Sequence, residues 1–218
     1  MDLELFNKKG EKAGKIKVSD HIFGIPVNEA VVHQALVMQL ANRRQGTADT
    51  QTRHDVSRST RKVYQQKHTG RARRGGATSP LVKGGSVVFG PHPRSYRLEM
   101  PKKMRRLALR SVLSGKVRDN ELKVLDKLEL AEGKTRLLSE ILDALEIHDT
   151  AIIGLSAGND MVRLAAANIP GIKATRVSFL NVADLLAHKV LVLDKDAIRK
   201  IEELWDEKKP AGAKAKSG

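Results

Sequence analysis

Cysteine is absent from this 218-residue chain, which excludes disulfides and thiolate metal sites and suits a reducing compartment. Aromatics are scarce, with four Phe, two Tyr and one Trp. No apolar run approaches the roughly 20 residues of a membrane-spanning helix. Met1-Asp2-Leu3-Glu4-Leu5-Phe6 has neither the basic nor the apolar region of a signal peptide. The expectation is a soluble, cytoplasmic protein with no membrane partner. The last shortage is local. Between Asn42 and Arg118 there are three acids, Asp49, Asp55 and Glu99, against twenty Lys and Arg.

That stretch holds the charge of the whole chain. Residues 1–41 carry five charges of each sign, and residues 119–218 carry fifteen basic against seventeen acidic, so the net +15 resides in the middle. A chain with one basic segment between two near-neutral ones has an address for a polyanion. Residues 42–100 also lack sustained helical or strand periodicity, and so long a structureless segment is unusual within a compact domain. Its cations begin with Arg43 and Arg44 and continue through Arg53, Arg58, Arg61 and Lys62. They thicken at Lys67-His68-Thr69-Gly70-Arg71-Ala72-Arg73-Arg74 and return through Lys83, Arg94 and Arg97. Arginine's planar fork suits bidentate phosphate contacts. Tyr64, Phe89 and Tyr96 offer rings that could stack on unpaired bases. Basic, glycine-rich segments that order on binding are a recurrent solution for RNA. Fifty-odd residues running out and back reach at most roughly 90 Å at ~3.3 Å per extended residue. A duplex-DNA reader would instead carry its base-reading cations on a recognition helix.

The same residues carry a resemblance. Gln66-Lys67-His68-Thr69-Gly70-Arg71-Ala72-Arg73 resembles the loop signature of the bacterial large-subunit ribosomal protein L-four family, which usually has Gly at the position of His68. Asn28-Glu29-Ala30 with Val32-His33-Gln34, Arg44-Gln45-Gly46-Thr47, Gly84 to Pro91 and Lys102-Lys103-Met104 match in the family's order, over roughly residues 1–207. The resemblance implies a structural constituent of the large ribosomal subunit that supports its assembly. Its partners are then large-subunit ribosomal RNA, neighbouring ribosomal proteins and, where the loop tip lines the exit tunnel, the nascent peptide. No cofactor and no small-molecule substrate are implied.

Around the arm, the pattern is that of an α/β domain with a mostly parallel sheet flanked by helices. Leu3 and Leu5, then Ile16 and Val18, alternate as two strands joined by a turn at Lys9-Gly10. Asn28 is placed to cap a helix over residues 29–44 with a stripe of Val32, Ala35, Leu36, Gln39 and Leu40. His33 on that helix has no metal-ligand partner at suitable spacing. Pro101 opens a helix over 101–117. Met104, Leu107, Ala108, Val112 and Leu113 form its inner face, and Lys102, Lys103, Arg106 and Arg110 form a basic ridge suited to phosphate. Strands are expected at Leu122–Leu125, Ala151–Leu155, Val177–Leu180 and Val190–Leu193. Helices are expected over Thr135–Glu146, from Asp160 capped by Asn159, over Val182–Ala187 capped by Asn181, and after Asp194 with Ile198, Ile201, Leu204 and Trp205. Such β–α repeats with apolar strands indicate a parallel sheet. The domain organisation is then a globular domain of 1–41 and 101–209, the loop 42–100 and a disordered tail of 210–218.

Three motifs compete with this reading. Gly154-Leu155-Ser156-Ala157-Gly158 matches a nucleophile elbow, with Asp184 and His188 following, so a small serine hydrolase using Ser156 is one alternative. Asp184 and His188 fall one turn apart on one helix, however, whereas a triad's acid orients the imidazole from behind. Gly133-Lys134-Thr135 lacks the earlier glycine of a phosphate loop. Glu202-Glu203 with Asp206-Glu207 reads as a solvated helix face. No reaction is expected, and a non-ribosomal RNA-binding protein is the remaining alternative.

Overall fold

The computed structural model describes residues 1–130, 132–156 and 160–205. The expected cap at Asn159, Ala157 and Gly158 of the elbow motif, the acids Asp206 and Glu207 and the tail lie outside the described residues. Backbone contacts divide the chain into two units. One runs from Met1 to Leu40 and resumes at Glu99, and the other is Ala41–Leu98.

The first unit is built on a six-stranded sheet. β1 (Asp2–Phe6) and β2 (Lys12–Lys17) form an antiparallel hairpin around Gly10, whose φ of 79° is the left-handed conformation that glycine adopts freely. β3 (Leu122–Leu125), β4 (Ala151–Leu155), β5 (Ile172–Arg176) and β6 (Val190–Asp194) complete it. The order is β2-β1-β3-β6-β4-β5, with every pairing except β1–β2 parallel. The sheet is therefore mixed and mostly parallel, as the sequence pattern implied.

Alternation along the strands feeds two cores, because successive side chains point to opposite faces. Leu5, Val124, Ile152, Leu191 and Leu193 pack with α1 (Asp20–Phe23), α2 (Glu29–Arg43), α3 (Lys102–Arg118), α6 (Val182–Ala187) and α7 (Lys195–Trp205). Leu125, Ala151, Ile153, Leu155 and Val192 pack with α4 (Thr135–Ala144) and α5 (Asp160–Ala167). Parallel strands covered on both faces need apolar residues at every position, and β4 is buried along its whole length.

Several caps fall where the sequence placed them. The Asn28 side chain accepts from the Val31 amide at 3.2 Å, Asn181 from Asp184 at 2.8 Å and Asp194 from Ala197 at 2.6 Å. Other details differ. Val177–Phe179 is a 3-10 turn rather than a strand, and the strand is the preceding Ile172–Arg176. Val177 and Leu180 are both buried because a 3-10 turn aligns residues three apart, while Phe179 between them is exposed. On α2 the buried residues are Ala35 and Met38, and Leu40 of the expected stripe is exposed. On α7, Ile198, Ile201 and Trp205 are buried but Leu204 is exposed. α1 has no counterpart in the sequence reading, although Ile22 and Phe23 are among the most buried side chains. Glu202 is not purely solvated, since its carboxylate accepts from the Ser19 amide at 2.8 Å just before α1.

Asp194 links the end of β6 to the start of α7. Burial pushes its carboxyl above the usual aspartate range, against the opposing effect of the Ala197 amide. A raised native pKa means that the folded state holds the proton more tightly. The contribution to stability is thus present below the unfolded pKa and is lost as pH rises through the native one. Asp194→Asn keeps a capping oxygen without the buried charge. It is expected to melt at or above the wild-type temperature at pH 7, whereas Asp194→Ala loses about 1 kcal/mol. As pH falls, only proteins retaining Asp194 gain stability from this group. Thermal melts of the three proteins across pH 4–7 check it.

Candidate nucleic-acid interface

The second unit has no regular helix beyond the end of α2 and no β-strand among its described residues, yet it is internally bonded. Its two limbs run antiparallel. Asn42 and Leu98 exchange two hydrogen bonds, the Leu98 amide to Oδ1 at 2.8 Å and Nδ2 to the Leu98 carbonyl at 3.2 Å. The Arg94 amide donates to Gly46 at 3.1 Å, His92 faces Asp49 at 3.0 Å and the Thr50 hydroxyl donates to the Pro91 carbonyl at 3.2 Å. Farther along, Arg58 donates to the Lys83 carbonyl at 3.1 Å, and Lys62 and Gly76 form an isolated bridge. The Val63 amide reaches Gly75 at 3.2 Å, and the Tyr64 hydroxyl donates to the Ala72 carbonyl. The result is an irregular hairpin whose turn lies at residues 65–71.

The turn needs a left-handed backbone. His68 has φ 65° and Gly70 φ 63°. Histidine is among the few non-glycine residues enriched in this region, so it takes the conformation at moderate cost. At the stem, Gly46 has φ 73°, and a Cβ there would lie 2.1 Å from the Arg94 carbonyl oxygen. The Tyr96 ring has the Arg44 guanidinium 3.9 Å from its centroid and that of Arg94 at 4.5 Å, so these two cations are held in place by cation–π attraction.

Thirteen Lys and Arg face two acids in this unit, and both acids have local work. Asp49 accepts from the Thr50 amide and contacts His92. Asp55 accepts from the Thr52 hydroxyl and amide, which hold its carboxyl below the ordinary range. Among the described residues, Lys67, Arg71, Arg73 and Arg74 make no ion pair and are exposed. Arg53, Arg61, Lys83 and Arg97 are exposed as well, and Thr69 is half-buried beside them. Arg43 ends α2. The Lys62 amine donates to the Gln66 side chain.

In the first unit, Lys102, Lys103 and Arg106 are exposed on the first turns of α3, but Arg110 is buried and its Nη1 lies 2.7 Å from His21 Nε2. A ridge drawn at i, i+4, i+8 precesses about 40° per step on a 3.6-residue helix, which carries Arg110 into the core-facing side. Arg105, not part of the expected ridge, is exposed three residues after Lys102. That spacing was the available signal. Buried Lys116 is structural, donating to Glu121 at 2.7 Å and to the carbonyls of His188 and Lys189.

The competing motifs dissolve in the structure. The Asp184 carboxylate accepts from Lys173 and Asn181, and His188 Nδ1 lies 2.8 Å from the Asp184 backbone oxygen rather than from the carboxylate. Ser156 lies 3.5 Å from Asp194 instead. Gly154 is explained by packing, because a Cβ would sit 2.5 Å from the Leu193 side chain. Lys134 merely precedes α4, and no cluster of metal-ligating side chains occurs among the described residues.

Comparison with known proteins agrees with this picture. Residues 16–204 match the family model described as the ribosomal protein L4/L1 family. The chain belongs to that family. It is 45% identical over 208 residues to the large ribosomal subunit protein uL4 of Dehalococcoides mccartyi (strain CBDB1), covering 95% of this chain and 99% of that one. It is 46% identical over 201 residues to uL4 of Pelotomaculum thermopropionicum, at 92% and 97% coverage. With uL4 of Desulforudis audaxviator it shares 47% over 200 residues, again at 92% and 97%. Members of the L4/L1 family are structural ribosomal proteins of the cytoplasm rather than enzymes. Among the described residues, no helix is long and apolar enough to cross a membrane.

The stem geometry makes a prediction. Gly46→Ala forces both a left-handed alanine and a clash with the Arg94 carbonyl, costs on the order of 1–3 kcal/mol. Tryptic cleavage after Arg44 and Arg94 should accelerate about tenfold, the effect of ~1.4 kcal/mol of easier local opening. The main thermal transition of the α/β unit should be unchanged.

Proposed function

We propose that this protein is a structural constituent of the large ribosomal subunit that binds ribosomal RNA chiefly through residues 42–100 and α3. The observation that carries the reading is the hairpin tip, where Lys67 and Arg71 in the turn and Arg73 and Arg74 just after it stand exposed with no carboxylate partner among the described residues. Cations crowded together without counter-charges raise the free energy of the isolated protein and lower it beside phosphates.

Binding proceeds in two stages. Phosphate contacts from Lys102, Lys103, Arg105 and Arg106 on α3 dock the protein, releasing counterions and giving a salt-dependent affinity. The hairpin then seats in RNA crevices, where Lys67, Arg71, Arg73 and Arg74 bridge neighbouring strands during subunit assembly. The uL4 relatives carry the name of a large-subunit protein, which supports large-subunit RNA as the partner, with neighbouring ribosomal proteins around it. By family resemblance, the turn at His68-Thr69-Gly70 lines the nascent-peptide tunnel.

Replacing Arg71, Arg73 and Arg74 together by Ala is expected to leave the α/β unit folded. The slope of log affinity for large-subunit RNA against log salt should become shallower by about 2 to 3, at roughly 0.7–0.9 per lost phosphate contact. Filter binding over a range of salt concentrations reads it. An unchanged slope would remove the turn from the RNA interface.

A further inference from the structure

The three aromatic rings of the second unit are in different states. Tyr96 is occupied by Arg44 and Arg94, and the Tyr64 hydroxyl is bonded across the hairpin to Ala72. Phe89 has neither kind of contact, and at 102% relative exposure its side chain is fully in solvent. An isolated exposed apolar residue is ordinary. Here the backbone is shaped to expose it.

The hairpin's register shows how. The Thr50 hydroxyl reaches the Pro91 carbonyl, but the next residue, Gln51, accepts from the Val87 amide at 3.1 Å. Between the backbone bonds from Arg94 to Gly46 and from Val87 to Gln51 the outgoing limb has four residues and the return limb six, and with the Thr50 hydroxyl fixing Pro91 the excess falls within Val88, Phe89 and Gly90. Gly90 packs against Thr50, where a Cβ would lie 2.1 Å from Oγ1, so only glycine fits at that end of the loop. Phe89 itself has φ 53°, a region that a bulky aromatic seldom adopts and that costs free energy in the isolated protein. A strained residue whose ring touches nothing lacks a compensating contact within its own chain.

The geometry points to Phe89 as a stacking finger, a ring held out by a three-residue bulge to stack on an unpaired base of the bound RNA. The surroundings favour a base over a protein pocket. The finger sits between Lys83 and Arg94 on a limb without acids, opposite a limb whose two acids are engaged locally. A base offers a flat π-face with phosphates on either side to meet those cations, and such stacking tolerates any base. The half-exposed Val87 and Val88 extend the apolar contact without adding a group that needs a hydrogen bond.

This inference rests on the RNA-binding function proposed above, and its test separates the two. The full-length protein and its Phe89→Leu and Phe89→Trp variants are titrated with transcribed large-subunit RNA at several salt concentrations. Phe89→Leu keeps apolar bulk but no π-face. It should bind on the order of tenfold more weakly, the scale of one lost base–aromatic stack, with an unchanged salt slope because no phosphate contact is removed. Phe89→Trp should retain affinity, and the indole it introduces should be quenched on binding, measured against the wild-type background from Trp205. Matching melting curves and tryptic patterns ensure that the hairpin itself is intact. Wild-type affinity for Phe89→Leu with no quenching in Phe89→Trp would overturn the finger while leaving RNA binding standing. A blue shift of the new indole that appears only on adding other large-subunit proteins would overturn it in favour of a protein pocket. Failure of the wild-type protein to bind the RNA would overturn both.

Discussion

Like-charge repulsion is the constraint on which the rest of this structure turns. Between Ala41 and Leu98 thirteen cationic side chains share space with two carboxylates. A Debye length of about 8 Å at physiological ionic strength screens distant pairs but not neighbours such as Arg73 and Arg74. Ion pairs cannot hold such a segment, because there are too few acids. The hairpin is instead closed by groups that do not depend on net charge, including backbone amides to carbonyls, the Asn42 side chain across to Leu98, and the Tyr96 ring beside two guanidiniums. Cation–π contact suits this setting because it attracts a cation without consuming its charge.

The α/β unit solves a different problem. Its sheet buries both faces, and the helices on each side take the alternate residues of the same strands. Lys116 pairs with Glu121 and two carbonyls, because an unpaired charge in the interior costs several kcal/mol. The outer cations of α3 are left facing solvent. One chain thus treats its cations in two ways, pairing Lys116 where it supports the fold and leaving Lys67, Arg71, Arg73 and Arg74 exposed without an ion pair around the hairpin turn.

The parts legible in the sequence were those set by local chemistry. β3 and β4 coincide with the expected strands because short apolar runs bounded by polar residues admit few other readings. The caps at Asn28, Asn181 and Asp194 follow from side chains that reach only three residues. β5 was displaced because Val177–Leu180 is more apolar than Ile172–Arg176, and burial at 177 and 180 arises equally from a turn. Arg110 lies inside because residues spaced i, i+4 drift around a helix rather than following a straight line along it. In the basic segment, charge and residue type point to a polyanion, but the hairpin's register cannot be read from them. Bonds such as Gln51 to Val87 join backbone atoms far apart in sequence, and no side-chain pattern encodes them. For the same reason Phe89 was indistinguishable from Tyr64 and Tyr96 until the bulge separated them.

Whether RNA orders the basic segment is read by amide hydrogen exchange of the whole protein, free and bound to large-subunit RNA. In the free protein the α/β core should exchange slowly, and residues 42–98, held by a few solvent-exposed bonds, should exchange fast. On binding, strong protection should appear across 42–98 and along the first turns of α3, with β4 and β6 unchanged. Protection confined to the α/β unit, with 42–98 exchanging equally fast in both states, would leave the basic segment without an RNA partner.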